Sequence, residues 1–382
     1  MRKLVGVGEY AEGGFGGVNL HVSYILKYFR ENRANGNIEL EAFHLPRDTL
    51  RKISIGSLFL NKNSINIYSH FRKDTLSKYD IVHSHGSVLA NSIAIKLQKN
   101  GTKFILTLHG YPSKDHVREV HSRDPVHWRV FWSNYYEVLL SQTQQANCVI
   151  TVAEWIKKKL KKELDVDAVV IPNMIDPKDV QFFTRNYKSI LDRFNLKYKG
   201  YIVWLGARIY PVNSKRPQDF VELAKRFPDE VFVMVGRDIN ESVLRKKLNL
   251  RKSEIPENLK FINTSCYTNS RMVFLSILKG AKFSILTTFQ EAFGYVILES
   301  LSLCLPVIVP DSGGPPEIIN REVGYVYRVK DVDDLEMKTD RMLSYFSKYI
   351  SKRLVEYVKS RFYYVDNCNM LYKLYSAYVG RR

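Results

Sequence analysis

Short apolar segments alternate with amphipathic ones along the whole of this chain, and that alternation limits its fold more than any other feature. A short apolar run reads as a strand covered on both faces, and an apolar period near 3.6 residues reads as a helix that covers it. Strands are expected at 3–7, 38–44, 65–70, 79–84, 103–108, 147–152 and 168–172, with helices at 17–31, 88–99, 127–145 and 154–164. Around 175–200 the periodicity weakens and polar residues dominate, as in a linker. A second series follows, with strands at 201–206, 231–236, 259–263, 282–287, 306–310 and 324–327. Helices at 217–227, 241–249, 270–279, 294–303 and 316–320 lie between them, and 332–380 reads as helices rich in Tyr and Lys. Strand–helix alternation of this kind is the pattern of parallel sheets. At 382 residues the chain also exceeds one core of about 150 residues. The expected class is therefore α/β with two Rossmann-like domains, 1–180 and 195–361, the first completed by a C-terminal helix at about 362–382. Two such sheets facing each other would gather their strand ends around one cleft, where open α/β folds bind ligands.

A formal charge of +19 implies attraction to something anionic: nucleic acid, acidic lipid or a phosphorylated substrate. Its densest cluster, Lys157-Lys-Lys-Leu-Lys-Lys162, shares a helix with the apolar stripe Trp155, Ile156, Leu160 and Leu164. A solvated helix face is the plain reading of it, and a surface for anionic headgroups the sharper one. Trp128, Phe131, Trp132, Tyr135, Tyr136 and Leu139 follow helical spacing and are expected in the core. No nucleic-acid motif accompanies the charge, so no nucleic-acid partner is expected. The four cysteines, at 148, 266, 304 and 368, show no metal or redox spacing and are expected to be reduced, as in an intracellular, cytoplasmic protein. The start reads as a first strand rather than a signal peptide, and no run of about 18 apolar residues is present to span a bilayer.

Glu291-Ala-Phe-Gly-Tyr-Val-Ile-Leu-Glu299 follows a strand and runs into a helix. Glu291 thus falls in the strand-end turn and Glu299 about two helical turns later, while the amides of Ala292, Phe293 and Gly294 open the helix as an anion site. Read alone, this is also an ordinary helix start with an acidic first turn. Gly13-Gly-Phe-Gly-Gly17 follows the first strand without matching a dinucleotide fingerprint. His109 is the first polar side chain after the apolar strand Phe104-Ile-Leu-Thr-Leu, and His83 and His85 mark a similar strand end. With no acid or Cys near them in sequence, the latter two are read as pocket wall and no metal is expected. Arg208 and Lys215 flank the entry to the first helix of the second series, and Gly313 and Gly314 lie in the turn of Pro306-Val-Ile-Val-Pro-Asp-Ser-Gly-Gly-Pro-Pro-Glu317.

Taken in order, these motifs resemble the signature of retaining glycosyltransferases of GT-B architecture, most closely family 4. Gly16-Gly-Val-Asn-Leu-His21 is similar to the family's Gly-Gly-Val-Glu-x-His loop, with Asn19 at the Glu position. Met174 stands for a usual Gly in Ile171-Pro-Asn-Met-Ile-Asp176. The resemblance implies that Glu291 holds donor-sugar hydroxyls, Glu299 the nucleotide ribose, and His109 the sugar near its reacting carbon. It also implies that Arg208 and Lys215 neutralise the leaving diphosphate, with Phe293, Gly294, Gly16, Gly17, Gly313 and Gly314 around it. Relative to the family the chain has two extra residues between Arg208 and Lys215 and an Ala inserted between Gly206 and Arg208, so Arg216 is an alternative cation. The implied donor is a UDP-, GDP- or ADP-linked sugar and the acceptor a hydroxyl, lipid- or glycan-linked. The basic segment 114–123 is itself expected to meet a phosphorylated or lipid-linked acceptor at a membrane surface, with peripheral contact to anionic lipid. No cofactor and no metal are implied. A glycogen-synthase-like enzyme, a sugar-nucleotide epimerase, or a non-catalytic lipid- or nucleic-acid-binding protein are the competing readings.

Overall fold

A computed structural model of the chain describes residues 3–8, 16–32, 38–43, 78–111, 114–120, 122, 126–209, 211–349 and 352–379. The expected strand at 65–70 and residues 13–15 of the glycine cluster lie outside them. The chain forms two compact units, one of Met1–Met174 with Tyr364–Arg382, the other of Ile175–Tyr363.

In the first unit, strands β1 (Lys3–Gly8), β2 (Ile38–Phe43), β3 (Ile81–Ser84), β4 (Lys103–Leu108), β5 (Cys148–Thr151) and β6 (Ala168–Val170) pair in parallel. Their order is β2-β1-β3-β4-β5-β6. Residues 81–84, 104–108 and 148–151 are all buried, which is why these strands read as unbroken apolar runs. The helices are α1 (Gly17–Glu31), α2 (Val88–Gln98), α3 (Lys114–Val120), α4 (Val126–Thr143) and α5 (Glu154–Leu164). On α4 the aromatic face differs from expectation. Leu139 is buried, but Trp132, Tyr135 and Tyr136 are half-buried, with Trp132 stacked on Tyr136 and Tyr135 edge-on to both, and Val126 and Val130 are exposed.

The second unit opens where a linker was expected, and it is helical there: α6 (Pro177–Phe182) and α7 (Tyr187–Arg193). Asp176 caps α6 by accepting from the Lys178 amide at 2.9 Å, with Pro177 in the first turn. Helices of six and seven residues bury too few apolar positions for a period to show.

The strands that follow are β7 (Tyr201–Ala207), β8 (Val231–Gly236), β9 (Leu259–Asn263), β10 (Ser284–Ile285), β11 (Val307–Pro310) and β12 (Gly324–Tyr327). All pair in parallel, in the order β12-β11-β10-β7-β8-β9. Between them run α8 (Val212–Lys215), α9 (Pro217–Arg226), α10 (Glu241–Leu248), α11 (Ser270–Gly280), α12 (Tyr295–Ser302) and α13 (Pro315–Ile318). Helices α14 (Val332–Tyr349) and α15 (Lys352–Phe362) end the unit.

The last helix, α16 (Tyr364–Val379), returns to the first unit. Its Tyr364 hydroxyl donates to Glu31 at 2.8 Å, and the Tyr375 hydroxyl lies 2.6 Å from His83 Nδ1.

Both sheets are doubly wound, and in such sheets the chain reverses direction of growth at one point, leaving a crevice beyond the strand ends. In the first sheet that point is β1|β3, so Gly16 and His85 belong to its rim. In the second it is β7|β10, so Arg208, Lys215 and Glu291 belong to its rim.

Close packing of β12 on β11 admits no side chain at Gly324, where a Cβ would sit 1.9 Å from the Val307 carbonyl oxygen. Gly324→Ala is expected to cost about 2 kcal/mol, the scale of overpacking a close-packed interior. Urea unfolding measures it, and an unchanged midpoint would show that β12 moves freely.

Candidate active site

A buried indole organises the rim of the second sheet. Trp204 Nε1 donates to Thr287 Oγ1 at 2.8 Å, and that hydroxyl donates to the Lys215 carbonyl at 2.7 Å. The Phe289 amide donates to the Ser214 carbonyl at 2.6 Å. The turn after β7 is thereby stitched to the turn after β10, and Lys215 Nζ lies 3.2 Å from Glu291 Oε2. Both side chains keep about a quarter of their surface exposed, 25% and 24%. A pair this open contributes about 1 kcal/mol or less, so each partner is available to a ligand.

The Glu291 turn is backed by the turn after β11. Gln290 N donates to Ser312 Oγ at 3.0 Å and Gly314 N to the Glu291 carbonyl at 2.9 Å. A Cβ at Gly313, whose φ is +76°, would lie 2.2 Å from the Glu291 carbonyl oxygen, and one at Gly314 2.3 Å from that of Ala292. The two glycines therefore allow one backbone to lie on another. The Gly314 amide, expected beside a phosphate, bonds the Glu291 carbonyl here. Gly294, with φ +96°, is the N-cap of α12, so the helix starts one residue later than expected. The Phe293 ring is buried 5.8 Å from that of Phe362 and anchors the turn.

Glu299 is buried and paired with Arg271 Nη2 of α11 at 2.5 Å. Sequence reasoning missed Arg271; the available signal was that a helix-buried carboxylate needs a cation. Arg208 is exposed, and no hydrogen bond or ion pair joins it to Lys215 or Glu291 among the described residues. Arg216, the alternative cation, is held by Asp219 in a bidentate pair at 2.7 Å for both bonds, and Asp219 is buried. It is not spare. Burial pushes the Asp219 carboxyl up, against the pull of Arg216.

On the first sheet's rim, Gly16 caps α1 with open space where a Cβ would be, and Gly17 begins the helix. Beyond them four imidazoles cluster. His83 Nδ1 meets the Tyr375 hydroxyl and Nε2 meets Thr107 Oγ1 at 2.7 Å, so His83 is structural. His85 Nδ1 lies 3.0 Å from His109 Nε2, and His21 Nδ1 lies 2.9 Å from Asn173 Oδ1. His21 was not foreseen beside the strand-end histidines, because α1 delivers it from a distant part of the sequence. Burial is the main cause that lowers all four, His21 to about 4 and His83 to about 3, with His85 and His109 well below the usual imidazole range. All four are therefore neutral at pH 7.

Three of the five lysines of the Lys157–Lys162 run are paired: Lys157 with Glu154 at 4.0 Å, Lys159 with Glu163 at 3.3 Å, and Lys161 with Asp165 at 2.8 Å and Asp167 at 3.1 Å. That favours the solvated-face reading. Among the described residues no helix is long and apolar enough to cross a membrane.

A family profile described as Glycosyltransferase Family 4 matches residues 15–179, and one described as Glycosyl transferases group 1 matches residues 191–360. An Escherichia coli relative, UDP-Gal:alpha-D-GlcNAc-diphosphoundecaprenol alpha-1,3-galactosyltransferase, is 26% identical over 320 residues, 77% of this chain and 74% of that protein. The fold is similar to that of sucrose-phosphate synthase from Thermosynechococcus elongatus, with a TM-score of 0.75 at 16% identity over 100% of both chains. It is also similar to HepE of Anabaena in complex with UDP-glucose, with a TM-score of 0.69 at 15% identity over 98% of this chain and 99% of that one.

Two outcomes follow from the buried charges and rings. Arg271→Met leaves the Glu299 carboxylate unpaired and is expected to lower unfolding free energy by about 3–5 kcal/mol; Arg271→Met combined with Glu299→Leu should recover part of it. The depressed histidines bind protons more weakly folded than unfolded, so their stabilisation is full above pH 6.5 and is lost as pH falls toward 4 and below. From His21 alone the loss between pH 8 and pH 5 is about 2 kcal/mol. Denaturant titration across that range, with a chelator present, checks it; unchanged stability would mean the rings stay solvated.

Proposed function

Because the chain belongs to the family 4 glycosyltransferases of GT-B architecture, we propose a residue-level account of how it moves a sugar. It is an enzyme that transfers a sugar from a nucleotide donor to an acceptor. The reading beyond that rests mainly on the Lys215–Glu291 pair at the switch point of the second sheet.

Glu291 accepts from donor-sugar hydroxyls, and Lys215 neutralises the diphosphate as it leaves. Charge develops on the phosphate oxygen when the bond from the sugar's anomeric carbon breaks, so a fixed ammonium lowers the barrier most at that moment. Arg208, exposed on the same rim, adds to it, and the amides of Phe293 and Gly294 face the same anion. Glu299 takes the ribose hydroxyls, its carboxylate held by Arg271. Within the first unit, Gly16, with no Cβ, and Gly17 offer backbone amides suited to phosphate, and neutral His109 is suited to bonding a sugar hydroxyl.

Transfer is retaining and needs no metal. The acceptor oxygen bonds the anomeric carbon on the face the diphosphate leaves, and its proton passes to the departing phosphate oxygen. A UDP-hexose is the favoured donor, supported by the UDP-sugars named for the E. coli relative and the HepE complex. A lipid-linked hydroxyl is the favoured acceptor, supported by that relative's diphosphoundecaprenol substrate. Contact with a membrane surface is supported by the exposed Val126 and Val130 of α4, with Arg129 between them.

The test is release of UDP from UDP-hexoses by the purified chain. Glu291→Ala and Lys215→Ala are each expected to lower kcat/KM by about 100- to 1,000-fold with circular dichroism unchanged. Proton NMR of the product should show an α linkage from an α donor. Undiminished turnover in both variants would remove these residues from the site, and a β product would remove the front-face mechanism.

A further inference from the structure

We propose that Lys199 and Lys279 form a second anion site in the second unit, fitted to inorganic phosphate or a phosphomonoester and set at the sheet edge opposite Lys215 and Glu291. Lys199 lies in the turn that enters β7, Lys279 in the last turn of α11, and Cys304 in the turn between α12 and β11. These segments stand at strand starts, whereas the donor rim gathers strand ends. The Lys199 amide donates to the Gly280 carbonyl at 2.6 Å, which holds its turn against the end of α11. Lys279 Nζ stands 4.7 Å from the centre of the Tyr187 ring and Lys199 Nζ 5.4 Å from that of Tyr198, and the two rings are 5.6 Å apart. Lys279 Nζ also donates to Thr184 Oγ1 at 3.2 Å.

Neither ammonium meets a carboxylate among the described residues; a hydroxyl and two ring faces are their partners. In the same unit the half-buried Lys282, Arg216 and Arg271 are matched by Glu230, Asp219 and Glu299. Burial lowers both amines, Lys199 to about 8, so each gains from an anion brought to it. The Cys304 thiol is close enough to act on both lysines, but burial pushes it up, so it is protonated at pH 7 and neutralises neither. The carbonyl end of α11 attracts Lys279 through the helix dipole, and a partial charge is a weak counterpart to two ammoniums.

Near pH 7 a phosphate group carries a charge of about −1.5 to −2, which matches two ammoniums, and its oxygens accept the charge-assisted bonds that ammoniums make best. Tyr198 is exposed, so an organic group on the phosphate has a ring face to cover. This site lies beyond the transfer reaction and rests on none of the roles assigned to the donor-binding residues.

The full chain is titrated by calorimetry with inorganic phosphate and with phenyl phosphate at constant ionic strength. The expected result is a bound phosphate whose affinity falls about 10- to 100-fold in Lys199→Gln and in Lys279→Gln and is unchanged in Lys215→Ala. Tighter binding of phenyl phosphate assigns the site to phosphomonoesters, and equal binding assigns it to free phosphate. No binding at millimolar phosphate, or binding lost in Lys215→Ala and kept in both glutamine variants, overturns the site. Bound phosphate is also expected to slow alkylation of Cys304, followed in the natural chain by peptide mass mapping. An unslowed Cys304 overturns the site even where the variants do not fold.

Discussion

The hydrogen bond from the Trp204 indole to Thr287 is the interaction on which the second unit's site depends. Singly it contributes about 1 kcal/mol, but its acceptor is also the donor to the Lys215 carbonyl, so one hydroxyl fixes two turns. The indole reaches Thr287 because residue 206 is glycine: a Cβ there would lie 1.9 Å from the ring. Between Trp204 and Ala207 the strand register shifts, so β7 bends as it ends. That bend and that bond together hold the turn that carries Lys215 against the strand end that leads to Glu291.

The net charge of +19 misleads if it is assigned to the site as a whole. Arg216 belongs to Asp219, Arg271 to Glu299 and the densest lysine run to its own neighbouring acids. What the rim of the second sheet offers an anion is Lys215, loosely held by Glu291, and exposed Arg208. Loose pairing is what a reacting group needs, since a buried bidentate pair such as Arg216–Asp219 cannot be given up to a ligand without stranding its partner. Exposure, more than charge count, separates the cations open to a ligand from those that hold the fold.

Much of this was legible in the sequence, and for physical reasons. Strands buried on both faces leave unbroken apolar runs, so β4, β8 and β11 fall within a residue or so of where periodicity places them. The Glu291-to-Glu299 segment is legible because a strand, a glycine-bearing turn and a helix are each fixed by local chemistry. Helices α6 and α7 were not legible, since a helix of two turns hides its period. The Arg271–Glu299 pair was hidden because it joins two helices across a packing contact. Gly313 and Gly314 show the same limit: the glycines were visible, but their close approach to the Glu291 turn depends on long-range contact.

The two units also differ in how they can recognise a ligand. At the second sheet's rim the groups are charged and partly solvated. At the first sheet's rim four imidazoles are packed so closely that protonating one penalises the others. A neutral imidazole can donate to or accept from a sugar hydroxyl, and it exerts little attraction on phosphate. A lysine in its place would draw phosphate and hydroxyl alike. Burial that strips charge from His109 thus leaves it a neutral hydrogen-bonding group, and the stability lost in acid is the consequence of that same burial.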